Sequence, residues 1–258
     1  MGKCAVIVSV YNEREGVEES ISYLEHLANL GFDAHIVDDG STDGTREVID
    51  SYSKEGNSRV HTYFMEENSK RVGALKEVLK RLSPEVEYVA VLDTNSKYEN
   101  PKEILNIVKK MENEGIDAGA FKIRPSETRT LPQALQNLEW VIFDNYKRFR
   151  SMRNKSFLIP GGCGIHRKDM LEEVLKEHSG EFNGDDLETS IIINRKGYKT
   201  RFFPEVEVRK KVPETFKERK EQIDGWNDGQ KRVKREYFKG SILDFNRETG
   251  NYYSFLIK

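Results

Sequence analysis

Polar and apolar positions in the first half of the chain follow two alternating patterns. Short apolar runs of four to seven residues have the composition of strands buried on both faces of a sheet. Between them lie longer segments that are apolar at every third or fourth position, as amphipathic helices are. Strands are predicted at Cys4–Val10, Ala34–Val37, Val60–Phe64, Tyr88–Leu92 and Asp117–Ile123, and helices at Glu15–Leu30, Thr45–Lys54, Val72–Leu82 and Pro101–Glu114. This alternation predicts an α/β fold, with a mostly parallel sheet and helices on both faces.

The second half has a less regular pattern. A long helix with a broad apolar face is predicted at Leu131–Phe149, and a glycine cluster follows at 161–164. Two shorter helices are predicted at Lys168–Lys176 and Asp185–Asn194, and a pair of strands, Tyr198–Phe203 and Val206–Val208, around Pro204. From Arg209 to Lys239 the chain is polar and basic, which predicts a helical C-terminal extension.

Composition excludes several classes of protein. The 258 residues carry a net charge of −2, so no general attraction to nucleic acid is expected. The two cysteines, Cys4 and Cys163, lack neighbours at metal-binding spacing and are expected to be reduced thiols. No apolar stretch reaches the ~18 residues that a membrane span needs. A cytoplasmic protein is expected, with attachment to a membrane surface as the alternative.

Polar clusters follow three of the predicted strands directly. Tyr11 to Glu13 follow the first strand, Asp38 and Asp39 the second, and Asp93 to Asn95 the fourth. Ligands of open α/β sheets bind at the carboxyl ends of the strands. These clusters are therefore expected to meet at one edge of the sheet.

The same residue types suit three kinds of chemistry, and each also has a structural interpretation. Asp39 could accept hydrogen bonds from a base, although the surrounding turn also caps a helix. Asp93 and Asn95 could hold a hard divalent cation, or could simply belong to a helix-entry loop. Asp185 and Asp186 open a helix, where carboxylates interact favourably with the helix dipole. One of them could instead act as a general base, with the neighbouring charge adjusting its pKa.

Five segments in this order carry a specific resemblance: VIVSVYNE, VDDGSTDGT, VAVLDTN, GDDLETSIIINRKGYKTRF and QIDGW. Together they resemble a family 2 glycosyltransferase with the GT-A fold, from Val6 to about Gly229. The last two segments are similar to motifs of the processive branch of that family, which makes cellulose, chitin and hyaluronan. The resemblance implies a Rossmann-like domain over residues 1–210, with a nucleotide-binding half (about 1–125) and an acceptor half (about 126–210). Residues 211–258 would form a helical tail over the active site.

The resemblance also implies a role for individual residues. Asp186 matches the catalytic base, with Asp185 beside it. The nucleotide would be bound by Val8, Tyr11, Glu13, Asp39, Lys70, Arg71 and Gly73. The donor and acceptor sugars would be contacted by Asp93, Gly162, Gln222 and Trp226. A Mn²⁺ or Mg²⁺ ion on the donor diphosphate would be held by Asp93 and Asn95.

Two departures from the family pattern bear on activity. Asn95 stands where the family's D-x-D motif has its last Asp, which removes one negative charge from the metal site. Gly225 stands where the family's Q-x-x-R-W motif has Arg, which removes a cation that would face the diphosphate. These departures motivate an alternative, a catalytically weak nucleotide-sugar-binding protein. A sugar-nucleotide nucleotidyltransferase is disfavoured because the first strand–helix loop, YNEREG, is acidic rather than basic.

The resemblance favours an inverting transfer from a UDP-sugar, with a GDP-sugar as the alternative donor. The acceptor would be a hydroxyl of a glycan or of a lipid-linked sugar, and no nucleic-acid partner is expected. Two apolar segments, Leu131–Phe149 and Tyr252–Ile257, could contact a membrane surface. Core packing or a dimer contact would explain both segments equally well.

Overall fold

The computed structural model describes residues 3–54, 59–181 and 184–239. The predicted tail segment Tyr252–Ile257 lies outside these residues. The strands are β1 (Lys3–Val10), β2 (Asp33–Asp38), β3 (Val60–Phe64), β4 (Val86–Leu92), β5 (Ser96–Tyr98), β6 (Ala118–Pro125), β7 (Cys163–Arg167) and β8 (Thr200–Lys210). The helices are α1 (Val17–Asn29), α2 (Thr45–Lys54), α3 (Lys70–Arg81), α4 (Glu103–Glu114), α5 (Leu131–Met152), α6 (Lys168–Glu177), α7 (Asp185–Arg195) and α8 (Phe216–Phe238).

The eight strands form one sheet in the order β3-β2-β1-β4-β7-β6-β8-β5. The first four strands in this order are parallel, as the alternation of strands and helices predicts. Strand β7 runs antiparallel to both β4 and β6, and β8 pairs in parallel with β6. The predicted mostly parallel α/β fold is confirmed, with antiparallel pairs in the second half of the sheet.

Alternate residues of β1 pack on opposite faces of the sheet, because successive strand side chains point to opposite sides. Val6 and Val8 belong to a core shared with α1 and α4. Ala5 and Ile7 belong to a second core shared with α3 and α6. The sheet is therefore covered by helices on both faces, and its central strands β1 and β4 are apolar along most of their length for that reason.

The two long helices of the second half begin at matching caps. At the start of α5, Thr130 accepts a hydrogen bond from the backbone N–H of Gln133, whose side chain bonds back to the Thr130 N–H. At the start of α8, Thr215 and Glu218 form the same reciprocal pair. Such capping boxes satisfy backbone donors that a helix start otherwise leaves unpaired.

The structure differs from the sequence prediction in four places. The segments predicted as a strand pair around Pro204 form one strand, β8, whose pairing with β6 shifts between Phe121 and Lys122. The glycine cluster leads into β7, and Ser96–Tyr98 forms β5. The basic extension becomes helical only at Phe216, because Arg209 and Lys210 still pair with β6. Within the described ranges, no helix has the length and hydropathy to cross a bilayer.

Candidate active site

A cleft of about 540 Å³ opens where β4, β7 and the starts of α3 and α7 come together. Segments far apart in the sequence contribute to it, and α8 covers one side. Eight of the predicted site residues line it: Lys70, Arg71, Asp93, Gly162, Asp185, Asp186, and Gln222 and Trp226 from α8. Aromatic side chains of α5, Trp140 and Phe143, form part of its wall.

Asp93 follows β4 and is held by two cations. Arg71, from the first turn of α3, is ion-paired with Oδ1 of Asp93. The Nζ atom of Lys210, at the end of β8, lies 2.5 Å from Oδ2. Burial would raise the pKa of Asp93, but the charges of Arg71 and Lys210 hold it well below its ordinary value. Asp93 is therefore ionised at any physiological pH, and two cations meet at the floor of the cleft.

Two glycines allow the chain before β7 to approach this ion pair. A Cβ at Gly162 would overlap the carboxylate of Asp93. A Cβ at Gly161 would overlap the guanidinium of Arg71 and would lie 3.4 Å from the Cβ of Asp186. Close backbone approach is a common reason for glycine at a site. The backbone at Gly161 and Gly162 therefore lies between Asp93 and Asp186, close to both.

Asp185 and Asp186 occupy the first turn of α7, after Gly184, whose φ of 137° suits glycine. The Oδ1 atom of Asp186 accepts a hydrogen bond from the backbone N–H of Leu187 at 2.8 Å. Burial, and then the negative charge of Asp185, raise the pKa of Asp186 to about 6, against the opposing charge of Arg71. A carboxylate with this pKa can accept a proton near neutral pH, as a general base must.

Asp39, another of the predicted nucleotide-binding residues, follows β2 at the same edge of the sheet. Asp39 is buried, and its Oδ1 accepts hydrogen bonds from the backbone N–H and the hydroxyl of Ser69, at 2.8 and 2.7 Å. A Cβ at Gly73 would overlap Ser69. Asp39 and Gly73 thus fix the loop that leads into Lys70 and Arg71.

The other predicted nucleotide and metal residues do not line the cleft itself. Val8 is buried in the core. Tyr11, after β1, is 45% exposed. Asn95 is exposed, and its Oδ1 accepts a hydrogen bond from the Ser96 hydroxyl at 3.3 Å. The roles assigned to these residues and to Glu13, like those assigned to the residues that line the cleft, stay predictions.

Oxygen donors near Asp93 suit a hard divalent cation. Partial burial raises the pKa of Glu13, and the charge of Asp93 raises it further, so the two carboxylates repel each other. A bound cation would relieve that repulsion. Among residues 3–54, 59–181 and 184–239, no three His, Cys, Asp or Glu side chains form a metal-binding group. Mg²⁺-type sites often use one or two carboxylates and take the remaining ligands from phosphates and water. The carboxylates of Asp93 and Glu13 fit that arrangement.

A buried network behind the cleft was not predicted from the sequence. Glu188 is fully buried, one turn beyond Asp185 on α7. It accepts hydrogen bonds from the backbone N–H and the hydroxyl of Ser179, at 2.8 and 2.7 Å, and from the hydroxyl of Tyr237 at 2.5 Å. Tyr237 lies near the end of α8. Glu188 therefore connects the helix that carries the two aspartates with the helix that covers the cleft.

The chain belongs to the family described as Glycosyl transferase family 2, whose model matches residues 5–175. A candidate teichuronic acid biosynthesis glycosyltransferase of Bacillus subtilis is 35% identical over 98 residues, 38% of this chain and 38% of that protein. The poly-beta-1,6-N-acetyl-D-glucosamine synthase of Staphylococcus epidermidis is 26% identical over 217 residues, 81% of this chain and 50% of the synthase. This chain spans about half or less of the length of both relatives.

Solved structures share the fold. The mannosyltransferase PcManGT from Pyrobaculum calidifontis, solved with GDP-Man and Mn²⁺, has a TM-score of 0.67 at 19% identity. The alignment covers 91% of this chain and 64% of that one. S. aureus TarS 1-349, solved with UDP-GlcNAc, has a TM-score of 0.54 at 19% identity over 82% of this chain and 60% of that one. The fold is therefore the GT-A fold that the motifs implied.

Proposed function

We propose that this chain transfers a sugar from a nucleotide-sugar donor to an acceptor hydroxyl, with inversion at the anomeric carbon. The observation that carries the proposal is the convergence of Asp93, Arg71, Lys210 and Asp186 on one cleft. Acidic and basic groups from four distant segments of the chain meet there. A UDP-sugar is the favoured donor and a GDP-sugar the alternative, and the two solved relatives named above were bound to one donor of each kind.

In the proposed reaction, Asp186 accepts the proton of the acceptor hydroxyl as its oxygen bonds to the anomeric carbon. The bond from that carbon to the diphosphate oxygen breaks, and the nucleoside diphosphate leaves with the electron pair. Arg71 and Lys210 stabilise the negative charge that develops on the leaving group, because both cations line the cleft beside Asp93. A Mn²⁺ or Mg²⁺ ion on the diphosphate, held by Asp93 with Asn95 or Glu13 nearby, would add to this charge stabilisation.

Gln222 and Trp226 are proposed to contact the sugars from α8. The Oε1 atom of Gln222 is buried and has no hydrogen-bond partner within the described part of the chain. Buried polar atoms are nearly always paired, so this one is suited to accept a hydrogen bond from a ligand in the cleft. A sugar hydroxyl would supply that donor. The acceptor is proposed to be a glycan or a lipid-linked sugar.

The decisive experiment is the substitution Asp186→Asn, with donor binding measured separately by calorimetry. We expect turnover to fall by about 10²–10⁴, while donor affinity changes little because the base does not hold the diphosphate. Asn is nearly isosteric, so the fold is retained. Normal turnover in this variant would refute the assignment of Asp186.

A second candidate function, a nucleotide-sugar-binding protein with little turnover, is favoured by one observation at Gly225. A Cβ at this position would meet no atom of the described residues within 4 Å, so none of their side chains fills the space directly beside it, where the family's Arg would start. Turnover assays with Mn²⁺, Mg²⁺ and a chelator separate the two functions. Metal-dependent transfer or donor hydrolysis supports the enzyme, whereas tight donor binding without turnover of any tested donor supports the binding protein.

A further inference from the structure

One face of α5 is apolar and open to solvent. We refer to it as the α5 stripe, which comprises Leu131, Leu135, Leu138, Ile142, Phe149 and Met152. Its members are spaced three, four or seven residues apart, so they lie along one side of the helix. Met152 is 80% exposed and Leu131 62% exposed. The rest of the described protein therefore leaves this face uncovered.

The composition of this face is unusual for a solvent-facing helix. Besides the stripe, only Asn145 and Arg148 of α5 are exposed, and the helix has no exposed acidic residue. The opposite face is engaged in the protein, with Trp140 and Phe143 buried in the cleft wall. Contiguous exposed apolar patches on soluble domains mark contact with a protein or with a membrane.

Positive charge gathers at the C-terminal end of the stripe. Arg148, Arg153 and Lys155 are exposed there, and no acidic residue lies between Asn145 and Lys155. The guanidinium of Arg153 lies 3.9 Å from the ring centroid of Phe149. Apolar and cationic groups thus share one surface, in the combination by which interfacial helices bind anionic lipid.

We propose that the α5 stripe and its flanking cations bind the surface of an anionic membrane, with α5 lying in the plane of the interface. The helix is 22 residues long, which gives about 33 Å of contact length. A membrane fits this face because the charged side chains exposed at the C-terminal end of the stripe, Arg148, Arg153 and Lys155, are all cationic, and an anionic lipid surface attracts cations. Because the inner side of α5 forms a wall of the cleft, membrane binding would place the cleft beside the lipid surface.

The test is co-sedimentation of the full chain with phosphatidylcholine vesicles, with and without phosphatidylglycerol, at low and high salt. Binding is expected only with the anionic lipid and is expected to weaken with salt. The double substitution Leu138→Ser/Ile142→Ser should lower the partition coefficient by about tenfold, since both apolar side chains lose their burial in lipid. Both positions are exposed, so the fold tolerates the change.

A matched control separates α5 from the second apolar segment of the sequence. Leu256→Ser/Ile257→Ser makes the same chemical change near the C-terminus and should leave the partition coefficient unchanged. For the charges, Arg148→Glu/Arg153→Glu should abolish the preference for anionic lipid. Lys102→Glu/Lys109→Glu, at the N-cap and within α4, makes the same charge change and should not.

Three outcomes would overturn the proposal. The first is no vesicle binding by the unmodified chain. The second is binding that depends on the C-terminal pair instead of the α5 stripe. The third is a dimer, detected by light scattering, that the substitutions Leu138→Ser/Ile142→Ser convert to a monomer, because that result would assign the stripe to a second copy of the chain.

Discussion

The raised pKa of Asp186 leads to a quantitative prediction about pH. With a pKa of about 6, about a tenth of the Asp186 side chains are ionised at pH 5 and about nine-tenths at pH 7. Because only the ionised form can take a proton from the acceptor, kcat/KM should fall about tenfold between pH 7 and pH 5. A carboxylate at its ordinary pKa of 3.8 would remain almost fully ionised over this range, and the rate would hardly change.

The substitution Asp185→Asn isolates the part of this effect that comes from charge. It removes the neighbouring negative charge but retains the burial, which is the larger cause of the raised pKa. The fall of kcat/KM on the acid side of the pH–rate profile should therefore move to lower pH, but not as far as an aspartate with an ordinary pKa would place it. The measurement is kcat/KM from pH 4.5 to 8 for the unmodified chain and the variant, with circular dichroism at each pH as the control for folding.

Two results would refute this reasoning. A flat profile between pH 5 and 7 would mean that Asp186 does not titrate there or is not the base. An acid limb that moves to higher pH in Asp185→Asn would mean that Asp185 does not repel the charge on Asp186. The 3.8 Å contact between Arg71 Nε and Asp185 Oδ2 is lost in the variant, which leaves Arg71 free to favour the ionised form of Asp186 and reinforces the expected direction.

Three further predictions concern stability and the architecture of the site. The folded state binds a proton at Asp186 more tightly than the unfolded state does. Ionisation of Asp186 therefore lowers the free energy of unfolding by about 3 kcal/mol as the pH rises from 3.8 through about 6. Asp186→Asn should raise Tm by several degrees at pH 7 and little at pH 4, measured by scanning calorimetry. Gly162→Ala should weaken donor binding and lower turnover more than tenfold, because its Cβ displaces Asp93, whereas Gly225→Ala, which has open space, should lower neither in the same assays. Tyr237→Phe removes a hydrogen bond to buried Glu188 and should destabilise the contact of α8 with α7 by about 1–3 kcal/mol. It should raise the donor KM more than it lowers kcat, and limited proteolysis should cut α8 faster.

The parallel half of the sheet and the position of Asp93 and Asp186 could be predicted from the sequence. Strand β4 is a run of apolar residues, and the polar Asp93 that follows it marks the strand end without ambiguity. The first turn of α7 is similarly marked by Asp185 and Asp186 after Gly184. Local patterns of this kind need no information from distant parts of the chain.

Other parts of the site depend on contacts that no local pattern records. Lys210 lies in a basic stretch that resembles a solvated helix, and its pairing with β6 and β5 places it beside Asp93. Strand β7 begins in a glycine-rich segment, a composition that is depleted in strands. Its Gly164 is needed because a Cβ there would lie 2.7 Å from the side chain of Ile159. The tertiary contact overrides the local preference in both cases.

The short link between β4 and β5 has a consequence for the shape of the sheet. These strands are separated in the sheet by β7, β6 and β8, so a flat sheet would place them about 19 Å apart, or four spacings of ~4.8 Å. The chain from Leu92 to Ser96 can reach only about 14 Å. The far edge must therefore curl back over the end of β4, and the unmatched residues of β8 between Phe203 and Glu207 allow it to do so. The distance between Asp93 and Lys210 is thus limited by the short backbone between Asp93 and Ser96, the residue that pairs with Lys210.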